Sequence, residues 1–378
     1  MMLRQVSKKT QCQVCDREDI YVSSAVGACV ACLREAETLP EAVVRRHAES
    51  RRRFGLPESP PKAPDGVACP LCVNDCRIPE GGWGYCRLRT AVDGKLVHAG
   101  GIPAKGMVDW YYDSLPTNCV ATPVCPGGTG VGYPAFAVCP GPERGFANLA
   151  VFYRACSYNC LYCQNTSGFK SMQPTESGRS AKELARASES KSITCICYFG
   201  GDPSVQMPHA LAASKLAVRQ ARDQGRILRI CFETNATMHP SVADRMAGLV
   251  LETGGVIKVD LKAYDETVHR ALTGTTNSRT LENFARIGRR IGERPEVPLL
   301  VASTLLVPGY LDPEEVSRIA RFISSVDPSI PYVLLAFHPR FEMMDLPPTS
   351  RAMARACYEA ACAEGLQRVF ISNEHLLW

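Results

Sequence analysis

The chain has 378 residues, 46% of them hydrophobic, and a formal net charge of +5. That is enough apolar sequence for two or three domains, with no run near the ~18 apolar residues of a membrane span and too little excess charge for a nucleic-acid surface. Nineteen cysteines, eight of them in C-x2-C pairs, in a chain whose first residues lack an apolar signal core, point to metal ligation in a reducing compartment, and so to a cytoplasmic protein.

In chain order, Cys12, Cys15, Cys29 and Cys32 form two C-x2-C knuckles. Two such turns complete a tetrahedral shell of four thiolates, so residues 1–53 read as a zinc-ribbon-like module followed by helix, with an iron–sulfur cluster as the alternative occupant. Residues 33–53 are polar and helix-prone with a break at Pro40; Arg51, Arg52 and Arg53 read as a solvated face and His47 as a surface residue. Residues 54–66 are a Pro-rich linker. Residues 67–147 open on a second set, Cys69, Cys72, Cys76 and Cys86, suited to zinc or to an auxiliary iron–sulfur cluster. A hairpin is expected over 96–105. An irregular passage over 109–144 holds Cys119, Cys125 and Cys139, which are either a further metal set or buried thiols.

From residue 148 to 378 the pattern alternates. Strand-like runs fall at 149–153, 193–199, 227–233, 256–260, 299–307 and 332–337, with a short one at 369–371. Helical patterns fall at 181–190, 208–224, 240–252, 280–291, 312–325 and 350–364. Alternation of this kind predicts βα units around a parallel sheet, whose chemistry collects at the carboxyl ends of the strands. The first run leads into Cys156-Ser-Tyr-Asn-Cys160-Leu-Tyr162-Cys163. Three thiolates can hold three irons of a four-iron cubane and leave the fourth open, as a catalytic metal requires; zinc with a ligand from elsewhere is the bland alternative.

C-x3-C-x2-C with an aromatic before the last Cys resembles the signature of the radical S-adenosylmethionine (radical SAM) superfamily. The segments after it are similar to the pyruvate formate-lyase activating enzyme-like branch, and more so to the AmmeMemoRadiSam-system radical SAM proteins, over roughly residues 66 to 378. The resemblance implies a (β/α)6 partial barrel with a 4Fe-4S cluster on Cys156, Cys160 and Cys163, and S-adenosylmethionine beside it. Gly200-Gly201-Asp202-Pro203 resembles the family's "GGE" segment, which holds the cofactor's amino group, with Asp202 in place of Glu. Glu233 and Asn235 resemble its "ETN" segment, and Asp260 with Lys262 its "D-x-K" segment, around methionine and ribose. Tyr162 belongs to the cysteine motif. Val307 begins a segment like one that passes the adenine, and His338 resembles a residue near the ribose or adenine.

The chemistry so implied is one-electron cleavage of S-adenosylmethionine to a 5′-deoxyadenosyl radical that takes a hydrogen atom from substrate. It calls for a low-potential donor, ferredoxin or flavodoxin, and for a protein or peptide substrate, as in glycyl-radical activation. Radical rearrangement of a small molecule is the alternative. A zinc-ribbon nucleic-acid-binding protein is a reading of another class, which the modest charge argues against.

Overall fold

A computed structural model of the protein describes residues 9–117, 119–166 and 177–378; the first eight residues of the expected N-terminal module lie outside the described residues. Three small antiparallel pairs come first: β1 (Thr10–Gln11) with β2 (Glu18–Asp19), β3 (Val67–Cys69) with β4 (Cys76–Ile78), and β5 (Arg89–Val92) with β6 (Lys95–His98). Helices Val30–Glu35 and Glu41–Arg52 lie between the first pair and the second, separated at Pro40 as the sequence predicts.

The rest is one open eight-stranded sheet. It runs from β7 (Val108–Ser114) through β8 (Ala147–Tyr153), β9 (Ile193–Phe199), β10 (Arg229–Thr234), β11 (Ile257–Asp260), β12 (Leu300–Leu306) and β13 (Tyr332–Ala336) to β14 (Val369–Ser372). All neighbours from β8 onward are parallel, while β7 is antiparallel to β8. The parallel sheet is as expected from the alternation, and its partial-barrel form as the resemblance implies.

The strands alternate in what they face. Leu149, Val151, Ile196, Tyr198, Ile230, Phe232, Ile257 and Val259 join the main core beneath the helices. Each full burial of such a side chain contributes about 1.5–3 kcal/mol. Residues between them point into the barrel. The helices begin where the sequence supplies caps: Ser180, Asp265, Asp312 and Ser350 each accept a backbone N–H of the first turn, worth about 1 kcal/mol apiece.

Besides the hairpin expected over 96–105, whose strands fall instead at Arg89–Val92 and Lys95–His98, two elements depart from expectation. The passage over 109–144 is not wholly irregular, since Val108–Ser114 pairs along its length with β8. Its aromatic residues Trp110, Tyr111 and Tyr112 suit a strand, and the antiparallel edge needs no helix to cover it. The stretch after it plugs the barrel: Ala121 and Val124 pack on Val256, Val301 and Val333 inside the sheet. An ion pair buried at 0–1% exposure, Arg229 to Glu143 at 2.6 Å, ties the plug to β10, and Arg229 also donates to Phe136 O at 2.9 Å. Breaking such a pair from one side costs about 3–5 kcal/mol. The second departure is helix Glu266–Thr273, whose signals were legible: Asp265 caps it and Gly274 closes it in the left-handed region at φ 73°.

Candidate active site

The loop after β8 carries Cys156, Cys160 and Cys163 across the carboxyl ends of the strands. It is held at several points. Asn159 N and Leu161 N donate to Thr273 O and Leu272 O at 2.7 and 2.9 Å, so the end of helix Glu266–Thr273 supports the turn. Ser157 Oγ donates to Asp202 Oδ2 at 3.0 Å. Gly201 passes directly beneath, and a Cβ there would lie 2.2 Å from Ala155 O. Only glycine permits that approach.

The three cysteines open on a cavity of about 300 Å³ whose walls also include Tyr162, Gly200, Gly201, Glu233, Asn235, Asp260 and Lys262. Ten of the expected site residues thus meet in one space. Across it runs a buried charge relay. Lys258 Nζ lies 2.9 Å from Glu233 Oε2 and 3.0 Å from Asp260 Oδ1, and Lys262 Nζ lies 3.1 Å from Asp260 Oδ2. Burial disfavours the Asp260 carboxylate, but Lys258 and Lys262, with Ser303, outweigh it and hold its pKa well below the usual range. Burial likewise acts to lower both lysines, and Asp260 reverses it, leaving each raised. All three therefore stay charged at any physiological pH.

Four expected residues stand off the cavity wall. The Asp202 carboxylate is 1% exposed and fully engaged within the protein. It accepts from Ser157, Ser204, Thr234 and Thr237, and its Oδ1 takes Thr234 Oγ1 at 2.7 Å. An aspartate is one methylene shorter than the family's glutamate, and here it reaches the loop rather than the cavity. Pro203 is buried at the start of a short 3-10 turn. Val307 is buried, and its neighbour Gly309 meets Tyr21 O of the N-terminal module instead of a ligand. His338 Nδ1 lies 3.1 Å from its own neighbour's carbonyl, Pro339 O.

The N-terminal half closes over this end of the barrel, which sequence reasoning missed. His47 and Arg51 are buried, not solvated. His47 Nε2 bonds Ala271 O at 3.0 Å, Asn159 Nδ2 donates to Ser50 Oγ at 2.7 Å, and Arg51 stacks 3.4 Å from the Tyr85 ring centroid at the cavity wall. The first module docks through Arg34 to Asp312 at 2.7 Å and through Ser24 N to Asp345 at 2.7 Å. Its sulfurs are contracted: Cys12 to Cys32 and Cys15 to Cys29 are each 3.9 Å apart, and all four lie within 4.8 Å of one another. Burial works to raise Cys12, but backbone N–H groups of Cys29, Cys15 and Val14 bring it down to about 6.

Among the described residues, neither the three loop cysteines nor Cys69, Cys72, Cys76 and Cys86 form so tight a group. The loop thiols suit a cluster whose irons occupy separate corners. Cys156 Sγ accepts from Tyr158 N at 3.4 Å and from Asn235 Nδ2 at 3.5 Å, the polar contacts that thiolates on iron receive. The buried Tyr162 hydroxyl has no hydrogen-bond partner among the described residues, and it stands in the wall where a polar ligand belongs.

Residues 150–323 match the family model for the Radical SAM superfamily. The chain is 36% identical over 144 residues to the isethionate sulfite-lyase activating enzyme of Desulfovibrio desulfuricans, covering 38% of this chain and 41% of that protein. It is 27% identical over 194 residues to the enzyme of the same name from Oleidesulfovibrio alaskensis, covering 49% and 57%. To the pyruvate formate-lyase-activating enzyme of Staphylococcus aureus it is 26% identical over 196 residues, covering 50% and 73%. The chain thus spans about half the length of the two isethionate sulfite-lyase activating enzymes, at 41% and 57%. A solved domain of pyruvate-formate lyase-activating enzyme from Bacteroides vulgatus aligns at 21% identity and TM-score 0.36, over 47% of this chain and 98% of that one. No helix among the described residues is long and apolar enough to cross a membrane. The cysteine motif and the central parallel strands fall within the matched stretch, so residues 150–323 of the barrel are similar to the Radical SAM superfamily.

Proposed function

We propose that this protein is a radical SAM enzyme that acts on a protein or peptide, with a four-iron cluster on Cys156, Cys160 and Cys163 and S-adenosylmethionine in the adjoining cavity. The observation that carries the reading is that cavity, where the three thiols face Gly200, Gly201, Asn235, Asp260 and Lys262 across one space of about 300 Å³. When bound, the cluster and cofactor supply a 5′-deoxyadenosyl radical at the expense of one electron from a low-potential ferredoxin or flavodoxin.

The residues of the chain position and shield. The backbone at Gly200-Gly201, bare of side chains, approaches the cofactor's amino group, a role it takes over from the engaged Asp202 carboxylate. Lys262 offers a cation to the cofactor's carboxylate, and Asp260, kept ionised by two lysines, accepts from a ribose hydroxyl. Phe152 and Phe199, stacked with centroids 5.4 Å apart at the cavity wall, exclude water from the reacting centre.

The other cysteine sets divide by spacing. Sulfurs 3.9 Å apart in the first module match the ~3.8 Å expected when four thiolates surround one zinc at ~2.3 Å. Cys69, Cys72, Cys76 and Cys86 are not so contracted. Cys76 and Cys86 accept from Tyr85 N at 3.5 Å and Arg89 Nη1 at 3.6 Å. That favours an auxiliary iron–sulfur cluster over zinc, beside the cavity that Cys86 also lines.

Similarity to activating enzymes supports a macromolecular substrate. The test uses host extract from cells grown on deuterated amino acids, split by size and incubated with reduced protein and S-adenosylmethionine. Deuterium in 5′-deoxyadenosine from the macromolecular fraction is expected. Deuterium from the small-molecule fraction alone overturns the substrate class.

A further inference from the structure

We propose that a separate single-ion metal site lies beneath the cofactor cavity, built by Cys119, Cys197 and Glu233 with Cys231 as the fourth donor, and that it takes one soft divalent cation of the zinc class.

The backbone brings the donors together. Cys197 on β9 and Cys231 on β10 are register partners in the parallel sheet, so their side chains leave the same face of neighbouring strands about 4.8 Å apart. Glu233 follows Cys231 by two residues and shares that face. Cys119 arrives from the plug. The ligand atoms of Cys119, Cys197 and Glu233 all lie within 4.8 Å of one another, and Cys119 Sγ donates to Glu233 Oε1 at 3.2 Å. Cys231 lines the same small space as Cys119, Cys197 and Glu233, which makes its sulfur the donor placed to complete the set. Three sulfurs and one carboxylate oxygen form a donor set that zinc accepts.

Size and charge agree. The space these residues line is about 30 Å³, room for one ion or one water and far too small for a cubane or an organic cofactor. Cations stand ready to offset an anionic donor set: Lys258 holds the other oxygen of Glu233 at 2.9 Å, and Arg229 and Arg294 act on Cys231 through space. Buried cysteines often serve only as small apolar fillers. Cys125 and Cys195 fit that description, since Cys125 Sγ lies 4.0 Å from Thr122 O and Cys195 donates to Asn148 Oδ1 at 3.3 Å. A carboxylate set among three sulfurs does not fit it, because filler needs no anion.

An ion here fastens the plug to β9 and β10 and fixes the floor of the cavity. Glu233 reaches both spaces, with Oε1 toward the sulfurs and Oε2 toward Lys258. Metal occupancy below therefore sets the charge relay above.

The test is elemental analysis of the purified full chain, with zinc and iron counted per protein. Cys119→Ser/Cys197→Ser is expected to lose one zinc relative to wild type while iron is unchanged, and Cys125→Ser and Cys195→Ser to lose none. A second measurement needs no variant: in the folded wild type, alkylation of Cys119 and Cys197 followed by mass spectrometry should increase at least tenfold when a zinc chelator is added. A folded double variant with wild-type zinc, alkylation indifferent to chelator, or a Cys119–Cys197 disulfide in the isolated protein overturns the proposal. Zinc and thiol protection are read directly, so the result is independent of whether the cavity above cleaves S-adenosylmethionine.

Discussion

Cys12, Cys15, Cys29 and Cys32 crowd together, with sulfurs 3.9 Å apart in two pairs, while Cys156, Cys160 and Cys163 spread along the wall of a cavity of about 300 Å³. The first set is carried by two-residue strands and a six-residue helix. An element so short has little core of its own, and an ion held by the four thiols would supply much of its folding energy. The second set sits on a loop tied by backbone bonds to Thr273 and Leu272 and by Ser157 to the buried Asp202. Its geometry is preformed by the barrel. Sulfur spacing and the source of rigidity, more than the number of cysteines, separate a structural ion from a reactive cluster.

The largest effect expected comes from breaking the second set. Cys160→Ala should remove roughly half of the bound iron, leave zinc in place and abolish S-adenosylmethionine cleavage; iron and zinc analysis with a turnover assay checks it. Next is the support beneath that loop. Asp202→Ala removes a carboxylate that accepts from Ser157, Thr234 and Thr237, and each charge-assisted bond is worth about 1.5–3 kcal/mol. The variant should lose thermal stability and load the loop cluster poorly, whereas a cofactor-contact role alone would keep iron content at the wild-type level.

A pH dependence follows from His269, which packs edge-on against Tyr158 of the loop at 5.1 Å. Burial holds it down to about 3 from an ordinary 6.5, against a backbone bond to Thr275 that acts to raise it. A folded value below the unfolded one means the neutral form is favoured in the fold. Its contribution is intact above pH 6.5 and is lost as pH falls toward 3, by up to about 1.4 kcal/mol per pH unit. His269→Gln should flatten the acid limb of a stability–pH curve measured by denaturant unfolding.

The smallest effect on the barrel belongs to the first set. Cys12→Ser should unfold residues 10–35 and expose them to limited proteolysis, yet move the barrel's unfolding free energy by only about 1 kcal/mol. A barrel that melts with the module would erase the contrast between them.

Much of this was legible in the chain. Alternating apolar runs marked the parallel strands, because period is a local property, while the placing of Gly200-Gly201 beside the C-x3-C-x2-C loop came from the family resemblance. What escaped depends on tertiary direction. Asp202 was located, but whether its carboxylate turned to the cavity or to Ser157 is not written in neighbouring residues. His47 and Arg51 sit on a polar helix, and only its packing over Asn159 and Tyr85 buries them. Cys197 and Cys231 read as apolar strand residues until the register aligned them. Strand β7 was hidden by the Gly- and Pro-rich plug after it.

The central claim is that the loop thiols and the cavity beside them form a working radical SAM centre. The most direct measurement is chromatography of the quenched reaction of reconstituted, reduced protein with S-adenosylmethionine. 5′-Deoxyadenosine and methionine are expected in equal amounts, formed slowly without substrate and absent with Cys160→Ala. A cluster-loaded, reduced wild-type sample that yields no 5′-deoxyadenosine would contradict it.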